Sequence, residues 1–145
     1  MNDNGEFAEY EAANDDERRT LEQSWAEGRL SRHVEQILAF LDRQKEDILR
    51  LTGGSPDPVE ILRTTKRMIV QAGTLHPQSE MKDQIRAIHD EIWIRGEKGD
   101  YRRERITEDW TQKHAPAWRR WRIKEYLFVA DRCVIPIVGR LKGGK

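Results

Sequence analysis

The chain has 145 residues, enough for one domain with a single core and too few for two ordinary ones. Charged residues make up 36% of it and hydrophobic residues 37%, so the apolar side chains must gather on narrow stripes of helices that are wet outside. No apolar run nears the length of a membrane span, the first residues lack a basic start with an apolar stretch, and Cys133 alone forms no internal disulfide. These features predict a cytoplasmic protein of a reducing compartment.

A net charge of zero hides a strong polarity. Residues 1–29 carry nine acids against three bases, a net of −6, whereas residues 102–145 carry twelve bases against five acids, a net of +7. The segment between them is at −1. Such polarity suits an acidic segment folding back on a basic one, head-to-tail attraction between chains, or an acidic partner at the C-terminal end.

Residues 1–14 are acidic and offer little to bury beyond Phe7, Tyr10 and a few alanines, so they are read as a disordered N-terminal segment. From Asp15 the pattern turns helical. Asp15, Asp16 and Glu17 suit the positive end of a helix, Leu21 and Trp25 follow at i, i+4, and Gly28 breaks the run. A second helix is predicted over Ser31 to Leu51. Leu30, Val34, Ile37, Leu41, Ile48 and Leu51 form a heptad-like seam around the polar Gln44, suited to another helix of this chain or of a twin. Gly53, Gly54 and Pro56 stop it.

Asp57-Pro58-Val59-Glu60 carries the signature of a capping box with proline at the first helical position, opening a helix to about Gln71 capped by Gly73. The next helix spans about Gln78 to Ile94, with Met81, Ile85, Ile88, Ile92 and Trp93 as its core stripe. Asp100 caps a helix from Tyr101 to about His114. Pro116 predicts a kink or restart, and the last helix runs from Ala117 to about Val138, its final turn disturbed by Pro136. No segment alternates as a half-buried strand does. The expectation is an all-α, single-domain helical bundle of five to six helices over residues 15–142, with 143–145 a loose basic tail.

The segment Trp110 to Arg122 carries Trp110, His114, Trp118 and Trp121 at spacings of four, four and three, beside Arg119, Arg120 and Arg122. With Trp93 these indoles and the histidine could line a pocket for a small molecule or cofactor, although no particular cofactor is indicated. Alternating tryptophan and arginine also suits stacked bases and phosphates, and Arg102, Arg103, Arg105 and Lys124 lie in the same third of the chain. An amphipathic helix with buried indoles and a basic wet side gives the same pattern. We read the indoles as core and the arginines, with Lys124, as the partner-binding set.

His89-Asp90, with His76 or His33 as a first ligand and Asp131 as a last, resembles the metal-binding set of HD-type phosphohydrolases. The resemblance extends over a dipeptide and two loosely placed residues. It implies a divalent metal and a phosphoester substrate, with His89, Asp90 and Asp131 catalytic. Gly96-Glu-Lys-Gly99 resembles the backbone-clamping loop of KH domains, but that fold needs a sheet, and a tight turn between helices explains both glycines. There is no Glu-x-x-His or His-Glu-x-x-His pair, and one cysteine excludes zinc held by cysteine spacing. Cys133 reads as a small buried hydrophobe.

Together these features predict a non-enzymatic interaction or regulatory protein that self-associates and binds an acidic partner, protein or nucleic acid, through its basic C-terminal third. The alternatives are a nucleic-acid-binding helical protein, an HD-like phosphohydrolase and a carrier with an indole-lined pocket.

Overall fold

The structure is a computed structural model that describes the backbone of residues 6–54 and 57–143, and side chains within these up to Val134. It is all-helical, with seven α-helices and a 3-10 turn among the described residues rather than five or six helices. The turn is Ala8–Tyr10. The helices are α1 (Asp15–Ala26), α2 (Ser31–Arg43), α3 (Lys45–Leu51), α4 (Pro58–Ala72), α5 (Pro77–Glu97), α6 (Arg103–Lys113) and α7 (Ala115–Gly143).

The extra helix comes from the seam expected to run unbroken from Ser31 to Leu51. It divides at Gln44, whose backbone leaves helical geometry at φ −102° and ψ 13°. Gln44 is the polar position of the seam, where no apolar side chain ties the helix to its neighbours. Ile37 and Leu41 before the break and Ile48 after it are all buried. The seam therefore packs inside its own chain, and only its end, Leu51, stays exposed.

Local chemistry accounts for the other boundaries. The Asn14 side chain accepts from the Glu17 N–H at 2.9 Å while the Glu17 carboxylate accepts from the Ala13 N–H at 2.8 Å, a reciprocal cap on α1. Asp57 accepts from Val59 N–H at 3.0 Å to open α4, and Gly73, at φ 78°, closes it in the left-handed conformation that favours glycine. α6 ends at Lys113 and α7 starts at Ala115, which puts Pro116 in a first turn, where its missing N–H costs nothing. The backbone of α7 then passes Pro136 and stays helical to Gly143, beyond the expected end near Val138. The side chain of Pro136, the stop expected from Pro56, and residues 144–145 of the expected tail lie outside the described residues.

The chain, read as one domain, divides into two compact units: Met1–Leu75 with Arg122–Lys145, and His76–Trp121. The first holds a continuous core built from Ile37, Phe40 and Leu41 of α2, Ile48 of α3, Ile61 and Ile69 of α4, and α7 from Ile123 to Val134. Tyr126 is its largest fully buried side chain. Its ring stacks on His33 with centroids 4.3 Å apart, and its hydroxyl bonds the Gln36 side-chain oxygen. Phe7 also enters this core, although it lies in the segment with so little to bury. Among the described residues of the second unit, only Ile106, Trp110 and Ala115 are buried.

Candidate functional site

The second unit is a pair of contacting helices, α5 and α6, followed by the first turns of α7. Its fastening is polar. The Arg95 guanidinium donates to Glu91 at 2.7 Å on its own helix and to Asp109 of α6 at 2.9 Å, and Lys113 reaches Asp109 at 3.0 Å. Hydrogen bonds from Lys113 and Arg95 hold the Asp109 carboxyl below its ordinary range, and Glu91 and Asp109 raise the Arg95 guanidinium. At the α5–α6 turn Asp100 accepts from the backbone and guanidinium of Arg102 at 3.0 to 3.2 Å. Those bonds lower the Asp100 carboxyl to about 2. The packed part is small: Ile106 and Trp110, with Trp118 edge-on to Trp110 at 6.2 Å and 65°.

What this unit leaves exposed is more telling. None of the twenty-one residues of α5 is buried. Met81 is 65% exposed and Trp93 68%, and Ile85 and Ile94 are also open. Of the stripe expected in the core, Ile88 and Ile92 are half-buried and Met81, Ile85 and Trp93 lie on the surface. Two reasons are visible in helical geometry. At about 100° per residue, Met81, Ile85, Ile88 and Ile92 share one face, but Trp93 and Ile94 each fall on another, so no single neighbour covers all six. The face that α6 turns to the stripe is also polar. A groove of about 690 Å³ runs between Ile85, Ile88, His89 and Ile92 on one side and Arg103, Glu104, Thr107, Glu108, Thr111 and Gln112 on the other.

The expected partner-binding residues divide. Arg102, Arg103, Arg105, Arg119 and Arg120 are exposed in this unit, Arg119 lying 3.9 Å from Glu80. Arg122 and Lys124 belong to the first unit and are buried. The Arg122 guanidinium lies 5.6 Å from the centroid of the Tyr126 ring, and the Lys124 ammonium is 2.8 Å from Glu17. They hold the fold rather than face solvent. The sequence placed all seven on wet flanks because helical spacing alone does not say which flank meets another helix.

The indole pocket is not assembled as expected. Trp110 and Trp118 meet, but Trp93 is exposed and His114 is exposed at the C-terminal cap of α6, donating its backbone N–H to Trp110 at 2.8 Å. Trp121 is half-buried. None of the five lines the α5–α6 groove.

The residues resembling a metal set are likewise dispersed in role. His76 caps α5, its Nδ1 accepting from the Ser79 N–H at 3.1 Å. His33 is buried beside Glu125 at 3.0 Å, and Asp131 pairs with Lys66 at 2.9 Å. His89 and Asp90 are exposed on α5. Among the described residues no three His, Cys, Asp or Glu side chains are grouped to hold a metal ion. Gly96 belongs to α5 and Gly99, at φ 91°, turns the chain toward α6, so this loop is a helix–helix connection. Cys133 is buried in the first unit, and burial pushes its thiol up to about 11, as befits a packing residue.

What could have flagged the α5 surface is the pair Trp93-Ile94, apolar residues set off the stripe. In function the arrangement offers an apolar strip for contact energy and exposed guanidinium groups for selecting charge. Compared with known proteins, the chain matches no family model, no curated protein and no solved structure. No described helix is long and apolar enough to cross a membrane.

Proposed function

We propose that this is a non-enzymatic interaction protein whose second unit docks an acidic protein partner on the α5–α6 surface. One observation carries the reading: a 21-residue helix buries none of its residues, leaves Met81, Ile85, Trp93 and Ile94 exposed, and walls one side of an open groove with Ile85, Ile88 and Ile92. Exposed large apolar side chains gathered on one element mark a contact surface more often than a free one. The partner's charge follows from the neighbours. Arg102, Arg103 and Arg105 stand exposed at the start of α6, and Arg119 and Arg120 at the start of α7. Guanidinium groups at the rim steer an acidic surface and reject a basic one.

The test compares proteins recovered from the native host by the full chain, by Ile85→Glu and by Arg103→Glu/Arg105→Glu. The expected result is an acidic protein depleted by about tenfold or more, equivalent to about 1.4 kcal/mol of affinity, in both variants and unaffected by nuclease. An identical set of proteins from all three chains overturns the reading.

A second reading, single-stranded nucleic acid, is favoured by Tyr101, which is 76% exposed beside Arg102 and Arg103. An exposed ring flanked by arginines suits a stacked base. Binding of a labelled oligonucleotide that falls steeply with salt and is lost in Tyr101→Ala would favour it over the protein partner.

A further inference from the structure

The first unit carries a second feature, separate from the α5–α6 surface: its acidic N-terminal arm sits on a basic groove of the same chain. The Glu6 carboxylate receives the Arg67 guanidinium through both Nε and Nη2, the latter at 3.1 Å. Phe7 is 5% exposed, with the Lys66 ammonium 4.7 Å from its ring centroid. Leu21 is the one buried residue of α1, and Glu17 takes the Lys124 ammonium at 2.8 Å. Hydrogen bonds from Lys124 and the Ala13 backbone hold the Glu17 carboxyl below its ordinary value. The arm from Glu6 to Ala26 has seven acids against two bases.

The hold is narrow for a segment of this length. Phe7 and Leu21 are its only buried apolar anchors among the described residues, helped by the half-buried Tyr10. A cleft of about 260 Å³ stays open beneath it, lined by Phe7, Tyr10 and Leu21 from the arm and by Lys66, Lys124 and Phe128 from the groove. The arm joins α2 through Glu27 to Arg29, exposed residues of a turn whose Gly28 sits at φ 78°, before Leu30 enters the core.

We propose that arm and groove are a ligand–receptor pair that also works between molecules, the arm of a second copy filling the groove of the first and the reverse. Each contact made within one chain is available unchanged between two, so exchange alters only the turn at Gly28 and is favoured by concentration. The opposite charges of arm and groove draw the two together before contact. The apolar anchors then fix register: Phe7 enters the core beside Lys66, and Leu21 follows along α7. This reading stands whether or not the α5–α6 surface binds an acidic protein.

Two full-length variants test it by complementation. One keeps the groove and blunts the arm, Glu6→Gln/Phe7→Ala/Glu17→Gln; the other keeps the arm and blunts the groove, Lys66→Glu/Arg67→Glu. Light scattering on each alone should give monomers, and on the equimolar mixture a heterodimer that dissolves at high salt. A mixture that stays monomeric, with both variants retaining the helical circular dichroism of the parent, overturns the proposal. Should either variant lose its fold, a fluorescent peptide of residues 6–26 is titrated against the unaltered chain. Its affinity should exceed that of the Phe7→Ala peptide by about tenfold, and equal affinity or no binding overturns the proposal. Adding Ile85→Glu to both partners of the mixture separates the two surfaces. Association should persist, and its loss would assign dimerisation to α5 and refute arm exchange.

Discussion

The two units of this chain share a composition class and use it in opposite ways. In the first, helices that are charged on the outside converge on Ile37, Ile69, Tyr126, Val129 and Val134, all of them fully buried. In the second, α5 has seven apolar residues to the six of α2 and buries none of them. The difference lies in what faces each stripe. α2 and α4 meet the apolar side of α7, whereas the groove beside α5 has threonine, glutamine and glutamate along its far wall. An amphipathic pattern shows that a helix has something to bury; the chemistry of the facing element decides whether it is buried.

The largest expected effect falls on the one heavy anchor of the second unit. Trp110→Ala should cost about 3–5 kcal/mol and unfold α5 and α6, read by hydrogen exchange of their amides. Trp93→Ala, on an open face, should move stability by less than about 0.5 kcal/mol. Equal losses would break the contrast between a buried and a displayed indole. Next come matched isoleucines. Ile37→Ala should cost about 2–5 kcal/mol in chemical denaturation, and Ile85→Ala about 0.5 kcal/mol or less. A large loss at Ile85 would mean that α5 is covered in the folded protein.

A smaller effect concerns acid. The Glu17 carboxyl is held below its ordinary 4.5 chiefly by its hydrogen bond from Lys124. Its contribution is therefore fully present above the unfolded value of 4.5 and disappears as pH falls through the lowered folded value. Glu17→Gln should flatten that part of the stability–pH curve for the first unit, while a curve unchanged in shape would remove Lys124 as the cause. Asp100 offers the counterpart in the second unit: its carboxyl carbon should titrate near 2 by nuclear magnetic resonance, and higher in Arg102→Ala but still below the ordinary 3.8, because the backbone N–H of residue 102 and the charge of Arg95 remain. The smallest effect is at Arg119, 3.9 Å from Glu80 and largely in solvent. Arg119→Ala should change stability by less than about 0.5 kcal/mol, and a larger loss would give this rim arginine a structural role.

Helix type and most boundaries were legible because they are local. Asp57 caps, Gly73 ends a helix, and Pro116 stands where one restarts, all within a turn of the residues they serve. Trp110 was legible as a core residue by size and spacing. Trp118 was placed in the core by the same reasoning. Trp118 is half-buried at the edge of Trp110, so its loss should remove a ring contact rather than a core. Of the candidate site, five arginines matched their expected exposure. Arg122 and Lys124 did not, because each continues the same basic pattern into a stretch of α7 that other helices cover.

The sequence by itself determined that this protein is helical, where most helices start and stop, and that its charge is divided between its ends. Caps, prolines and the 3.6-residue period act over a few residues, so they can be read along the chain. Only the tertiary structure decided that the seam bends at Gln44, that Glu6 and Glu17 reach Arg67 and Lys124, and that α5 keeps its apolar face in view. Burial and pairing are properties of two elements at once, and a single stripe carries only half of that information.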